Sequence, residues 1–223
     1  MVERFIHYLR VERPPNAETA AEARDRLREK FPRTALRRMT HLGMLIGSTL
    51  EGAALSADDA LVYATSFAET RALEDFLTSF PNPSPLLFQT SIHPGGVQQV
   101  LIGRQQPIAR LWPLAGRARL LEQALITAVL EPADRVAIAG GEERGTWLLE
   151  QEQASDRSFA FGLVLNREAA GALGKISFVV PASAGPDTAD EPCPALEAFA
   201  DALAERRALS WQGAGGTWRL TWP

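Results

Sequence analysis

Apolar positions fall along this chain in two rhythms, one of period two and one near 3.6, and their alternation predicts a layered fold. Residues 4–11 (Arg-Phe-Ile-His-Tyr-Leu-Arg-Val) mix β-branched and aromatic side chains and predict a strand that Pro14-Pro15 stops. Asn16 stands where a helix cap is expected, ahead of a charged helix over about 17–31 with acids early and bases late, as the helix dipole prefers. A second helix is predicted over about 34–55, because Leu36, Met39, Leu42, Ile46 and Leu50 recur at helical spacing. Residues 59–66 form a short strand apolar on both faces, which suggests a sheet covered on both sides. A helix over 69–79 is broken by Pro81-Asn82-Pro83-Ser84-Pro85, and a loop through 88–94 leads to a helix around 95–104. The run 107–113 is strand-like, followed by a helix over 117–130 and strands over 135–140 and 158–166.

Strands that alternate with helices predict an α/β fold: a mixed five-stranded sheet with helices on both faces. Leu45, Leu125, Ile138 and Val164 are expected in its core, on facing elements. Residues 181–194, rich in Ala, Pro, Asp and Gly, read as a loop or partial linker. Beyond them lies a helix over about 195–207 presenting Leu196, Phe199 and Leu203. A hairpin follows, 209–212 and 217–222 around Gly213-Ala214-Gly215-Gly216, with Trp218, Leu220 and Trp222 alternating. At 223 residues the chain can build one substantial core and is short for two, so a single domain over 1–223 is expected.

Charge and cysteine content narrow the function classes. The formal net charge is -4 and the pI about 5.5, which removes any global electrostatic case for nucleic acid. A single cysteine, Cys193, excludes an internal disulfide, and no Cys/His spacing suggests a metal site. The start, Met1-Val2-Glu3-Arg4, lacks the pattern of a signal peptide, and no apolar run approaches the ~18 residues of a membrane span. A cytoplasmic location is expected, and no cofactor is implied.

The candidate chemistry centres on a strand, a sharp turn and a helix, a geometry that aims a helix N-terminus at a raised nucleophile. At the turn stands Ala115, followed by Gly116, so the place offers a methyl group. His93-Pro94-Gly95-Gly96 puts an imidazole beside glycine N–H groups, but no Ser, Cys or Asp partner stands at an arguable spacing, and a turn with His93 capping or packing is the simpler reading. Gly140-Gly141-Glu142-Glu143-Arg144 lacks the Lys-Ser/Thr of a phosphate loop and reads better as close backbone packing. Arg33, Arg37 and Arg38, with Arg24, Arg26, Arg28 and Lys30 nearby, form the dense basic region of the sequence.

Four segments, in order, resemble the N-terminal half of a β-ketoacyl synthase of the thiolase-like fold. They are Arg37-Arg38-Met39 with the helix after it, Val62-Tyr63-Ala64-Thr65-Ser66, Val136-Ala137-Ile138-Ala139-Gly140-Gly141-Glu142, and Gly162-Leu163-Val164-Leu165. The resemblance covers about residues 2 to 180, with the helix and hairpin of about 195–223 as an extension. Counting back from Gly140-Gly141 without gaps, the family's nucleophilic Cys falls on Ala115. None of the three histidines, His7, His41 and His93, lies in a His-Gly-Thr-Gly-Thr-like context. The likeness implies a chain-length-factor-like subunit, similar to those of aryl-polyene and related pigment pathways, that does no condensation and pairs with an active ketosynthase. It implies that the strand at 107–113 is the sheet edge that pairs across a dimer two-fold, placing Ile108, Leu111 and Trp112 at the partner interface. It also implies that Arg33, Arg37 and Arg38 could steer an acidic acyl carrier protein. Two alternatives stand beside this expectation: an enzyme of another class using His93, and a homodimeric module binding an acyl or aromatic ligand.

Overall fold

The computed structural model describes residues 1–180 and 192–223, so most of the stretch read as a linker lies outside the described residues. The strands are β1 (Val2–Glu12), β2 (Ala60–Thr65), β3 (Arg110–Ala115), β4 (Val136–Glu142), β5 (Phe159–Asn166), β6 (Gly174–Val179), β7 (Leu209–Gly213) and β8 (Gly216–Thr221). The α-helices are α1 (Ala20–Leu27), α2 (Arg33–Leu36), α3 (His41–Thr49), α4 (Thr70–Thr78), α5 (Pro85–Ser91), α6 (Gly95–Gly103), α7 (Leu120–Leu130), α8 (Trp147–Glu150) and α9 (Leu196–Glu205). All eight strands join one mixed sheet in the order β3-β2-β4-β5-β1-β6-β8-β7. β2 runs parallel to both β3 and β4, and the remaining pairings are antiparallel.

The expected five strands are therefore too few. β6 was read as loop, although Ile176 and Phe178 alternate with Lys175 and Ser177; at six residues the signal is short. Ile176 is fully buried, and β6 pairs with β1 on one side and β8 on the other. It thereby stitches the C-terminal hairpin into the main sheet.

Helices cover both faces, as anticipated. The even-numbered residues of β2 and β4 (Val62, Ala64, Ile138) point to the layer of α7 and α9, while Leu61, Tyr63 and Ala137 point to the layer of α1, α3 and α6. The four expected core positions are buried and divide between these layers: Leu125 and Ile138 on the α7 side, Leu45 and Val164 on the α3 side.

Several boundaries moved for local reasons. Thr19 caps α1 in place of Asn16: its hydroxyl accepts from Glu22 N–H at 3.2 Å, and Glu22 accepts from Thr19 N–H at 2.7 Å. The helix expected over 34–55 is split, because Thr40 caps a new helix by accepting from Gly43 N–H. All five of its periodic residues are buried regardless, so the pattern reported burial correctly and continuity incorrectly. The loop expected through 88–94 begins as α5, with Ser84 as cap and Pro85 in the first helical turn. β3 starts at Arg110, later than the apolar run suggested, and leaves Ile108 outside the strand.

Candidate functional site

β2 and β3 end together, with Thr65 opposite Ala115. Gly116 turns the chain at φ +142 and donates its N–H to Thr65 O at 3.3 Å. Nothing lies within 4 Å of where a Cβ would stand, so backbone conformation and not space requires glycine there. Arg119, left-handed at φ 53, then opens α7. The strand–turn–helix elbow is present, and the exposed methyl of Ala115 occupies its turn.

The chain's only cysteine comes to the same helix start from the opposite end of the sequence. Cys193, Ser66, Arg117 and Arg119 line a cleft of about 160 Å³ beside the first turn of α7. Burial pushes the Cys193 thiol up, against a hydrogen bond from the Glu122 backbone, so the sulfur is held as a thiol. Sequence reading had no signal for this placement, because a lone Cys beyond a Pro-rich stretch carries no spacing to interpret.

An adjoining cleft of about 360 Å³ is lined by Phe67, Arg117, Glu142 and Phe159 among others, with Arg117 stacked 5.1 Å from the Phe67 ring. Glu142 ends β4 as a buried carboxyl. It accepts from Thr65 Oγ1 at 3.0 Å, from Phe67 N–H at 3.2 Å and from Ser66 N–H, so one side chain fixes the β2–α4 turn. Burial outweighs these donors and pushes its pKa up to about 7. Glu143 turns inward as well, accepting from Leu42 N–H at 3.0 Å and Arg71 N–H at 2.9 Å, with His41 Nδ1 at 3.3 Å. The two glutamates after Gly140-Gly141 thus serve backbone N–H groups. Glycine at 140 answers to packing: a Cβ would come within 2.5 Å of the Phe161 ring.

Among the described residues β3 pairs only with β2, so it is an edge strand. Ala109 N–H donates to Asp59 O at 2.8 Å. Alternation along a parallel ladder then turns the N–H groups of Arg110, Trp112 and Leu114 to the open side. Ile108 and Leu111 pack against the α3-side core, whereas Trp112 is 42% exposed. Of the three expected interface side chains only Trp112 faces out, and Ile126 and Leu130 of α7 are exposed as well. Glu131, just past α7, holds the edge in place: it accepts from Trp112 Nε1 at 2.7 Å and from Arg110 Nε at 2.8 Å. Burial would raise the Glu131 carboxyl, but these hydrogen bonds win and hold it below the usual range.

Arg33, Arg37 and Arg38 converge with Arg104 on a groove of about 1010 Å³ between α2 and α6. Among the described residues none of the four forms an ion pair. Arg104 instead lies 4.9 Å from the Phe31 ring. Of the neighbouring bases, Arg26 pairs with Glu18 at 2.6 Å and Lys30 with Glu51 at 3.2 Å, so they belong to a separate, neutralised network. His93 stacks on Tyr63 at 4.8 Å with Glu69 Oε2 3.7 Å from Nδ1; neither ring nitrogen has a hydrogen-bond partner, and the ring opens onto none of these clefts. No helix of the described residues is long and apolar enough to cross a membrane, and no group of three or more His, Cys, Asp or Glu among them could hold a metal ion.

No protein-family model matches this chain, and no curated protein matches it in sequence. Solved structures do match. One is a ketosynthase (ApeO) in complex with its chain length factor (ApeC) from Xenorhabdus doucetiae, with TM-score 0.67, 17% identity, and coverage of 99% of this chain and 100% of that one. A β-ketoacyl synthase from Burkholderia phymatum STM815 gives TM-score 0.57 and 14% identity over 86% of this chain and 67% of that one. The ishigamide ketosynthase/chain length factor gives TM-score 0.54 and 12% identity over 81% and 68%. The fold is thiolase-like, of the kind found in ketosynthases and ketosynthase/chain-length-factor complexes.

Proposed function

We propose that this chain is a non-catalytic, chain-length-factor-like subunit that pairs with an active β-ketoacyl synthase in fatty-acid or polyketide-type assembly, with aryl polyenes the product class to test first. The observation that carries this reading is the elbow: strand, turn and helix N-terminus are all present, and Ala115 stands where a nucleophile would. A methyl group cannot attack a thioester, nor can it donate to or accept from a malonyl group. The match to the full length of one chain in the ApeO/ApeC complex supports a subunit of this size in such a pair. In this reading the partner's residues carry the condensation, while this chain completes or stabilises the acyl pocket and so influences product length.

The open edge of β3 supports the pairing. Its outward N–H and C=O groups, with Trp112, Ile126 and Leu130 beside them, form a surface that a partner's edge strand would satisfy. The alternative built on His93 finds no cleft at its ring, which is why the subunit reading is preferred.

Two measurements test the proposal. Incubation with malonyl- and acyl-loaded carrier protein should leave no acyl adduct on the purified chain by mass spectrometry, and Ala115→Cys should not create condensing activity in the chain alone. Co-expression with the ketosynthase encoded beside it should give a stable one-to-one complex. A covalent adduct near the elbow, or a monomer that ignores that ketosynthase, would refute the reading.

A further inference from the structure

Residues 76 to 103 contain no Asp, Glu, Lys or Arg. They run from the last turns of α4 through α5 and α6, and much of their surface is apolar and open. Leu86 is 59% exposed, Phe88 51% and Phe80 55%, with Leu77 and Ile92 also exposed. No residue of α5 is buried, although its sequence begins Pro-Leu-Leu-Phe. A helix of seven residues has little stability of its own, and normally owes its form to an apolar face packed against something. Here the packing is limited to neighbouring helices and the aromatic contacts of Phe76 with Phe80 and Phe88. An uncharged apolar surface of this kind marks an interaction site.

We infer that the α4–α5 face is a second region of contact with the same ketosynthase subunit that pairs along β3, an extension that rests on the pairing proposed above. Three observations choose this occupant. First, the two surfaces are continuous: Gly116, at the end of β3, donates to Thr65, and Arg117 lies over Phe67, so the edge strand ends against the turn from which α4 starts. Second, Phe80, Leu86, Phe88 and Ile92 line none of the described clefts, which makes the face flat and suited to a protein surface more than to a small apolar ligand. Third, a stable obligate pairing buries on the order of 2,000 Å² or more. The β3 edge with Trp112, Ile126 and Leu130 is too narrow to supply that alone. A membrane surface is disfavoured, because interfacial helices carry Lys and Arg on their polar side and this face has none.

The test is a binding titration of the ketosynthase with wild-type chain, with Leu86→Glu/Phe88→Glu, and with Gln153→Glu as an exposed charge control. Burying two carboxylates opposite an apolar partner should weaken the complex at least tenfold, with the control within twofold of wild type. Circular dichroism checks that the double variant is folded. Should it not be, hydrogen exchange on the wild-type complex replaces it, and the amides of 85–92 should gain protection on pairing. A wild-type complex with undiminished affinity in the folded double variant, or without protection over 85–92, overturns this inference and leaves the pairing itself intact. If the wild type forms no complex at all, the pairing proposal fails and takes the extension with it. A double variant that converts a homodimer of this chain to monomer while ketosynthase affinity holds would assign the face to self-association instead, and overturn the inference.

Discussion

A buried carboxyl at the end of a strand can serve the fold or a reaction, and the groups it touches decide which. Glu142 meets Thr65, Ser66 and Phe67, all on one turn, and no donor from a substrate-sized space is aimed at it alone. Its consequence is a pH dependence. The carboxyl titrates near 4.5 in the unfolded chain and at about 7 in the fold. Between those values the folded state holds a proton that the unfolded state has released, so stability must fall as pH rises through the window. The full loss is about 3 kcal/mol. Glu12, Glu18 and Glu131 are held below their ordinary values, so what they contribute is fully present above about pH 4.5 and is lost only in acid. Urea unfolding of the wild type at pH 5 and pH 8 should therefore show the lower stability at pH 8. Glu142→Gln, which cannot ionise, should lose less than half as much over the same interval. An equal loss in both proteins would show that Glu142 is not the group responsible.

At the scale of elements, burial was more legible than connection. Leu36, Met39, Leu42, Ile46 and Leu50 announced a buried face, and the two helices that share it differ from one continuous helix only by the Thr40 cap. The elbow at Ala115 was legible because a strand, a glycine and a helix leave distinct traces. β6 was passed over because six residues with two buried apolar side chains compete poorly with the Gly-rich turn before them. What sequence could not supply was the third dimension of the site: that Cys193 reaches α7, that Glu131 fastens Trp112, and that Ile108 and Leu111 turn inward. The direction of β3's backbone groups gives a test. Leu111→Pro removes an N–H that faces β2, and should lower the melting temperature of the chain itself. Trp112→Pro removes an N–H that faces the open side, so the fold should survive with a smaller loss while the ketosynthase complex weakens by roughly tenfold or more, the equivalent of one lost hydrogen bond. Trp112→Phe separates the indole–Glu131 contact from the backbone term, and should pair more tightly than the proline variant. If Trp112→Pro and Trp112→Phe pair equally well, the outward backbone groups of β3 take no part in the complex.

Over the whole molecule, charge is distributed against its own average. The chain carries a net -4, yet four arginines gather around one groove without an ion pair among the described residues. Such a patch offers little to folding, since exposed charges of one sign repel at modest cost and stabilise nothing nearby. Its physical use is at a distance: a cationic groove on an otherwise acidic body raises the encounter rate with an acidic partner and orients it. If an acyl carrier protein delivers substrate to the complex, this groove is where steering would act. Arg37→Glu/Arg38→Glu should then slow carrier association by about tenfold at low ionic strength, since steering of this kind acts on the on-rate. At 0.5 M salt, where the screening length falls to a few ångströms, most of the difference should vanish. Thermal stability should stay near wild type, because no ion pair of the described residues is broken. A rate difference that persists unchanged at high salt would mean that the arginines make direct contacts and do not steer. No difference at either salt concentration would place carrier docking elsewhere, on the ketosynthase.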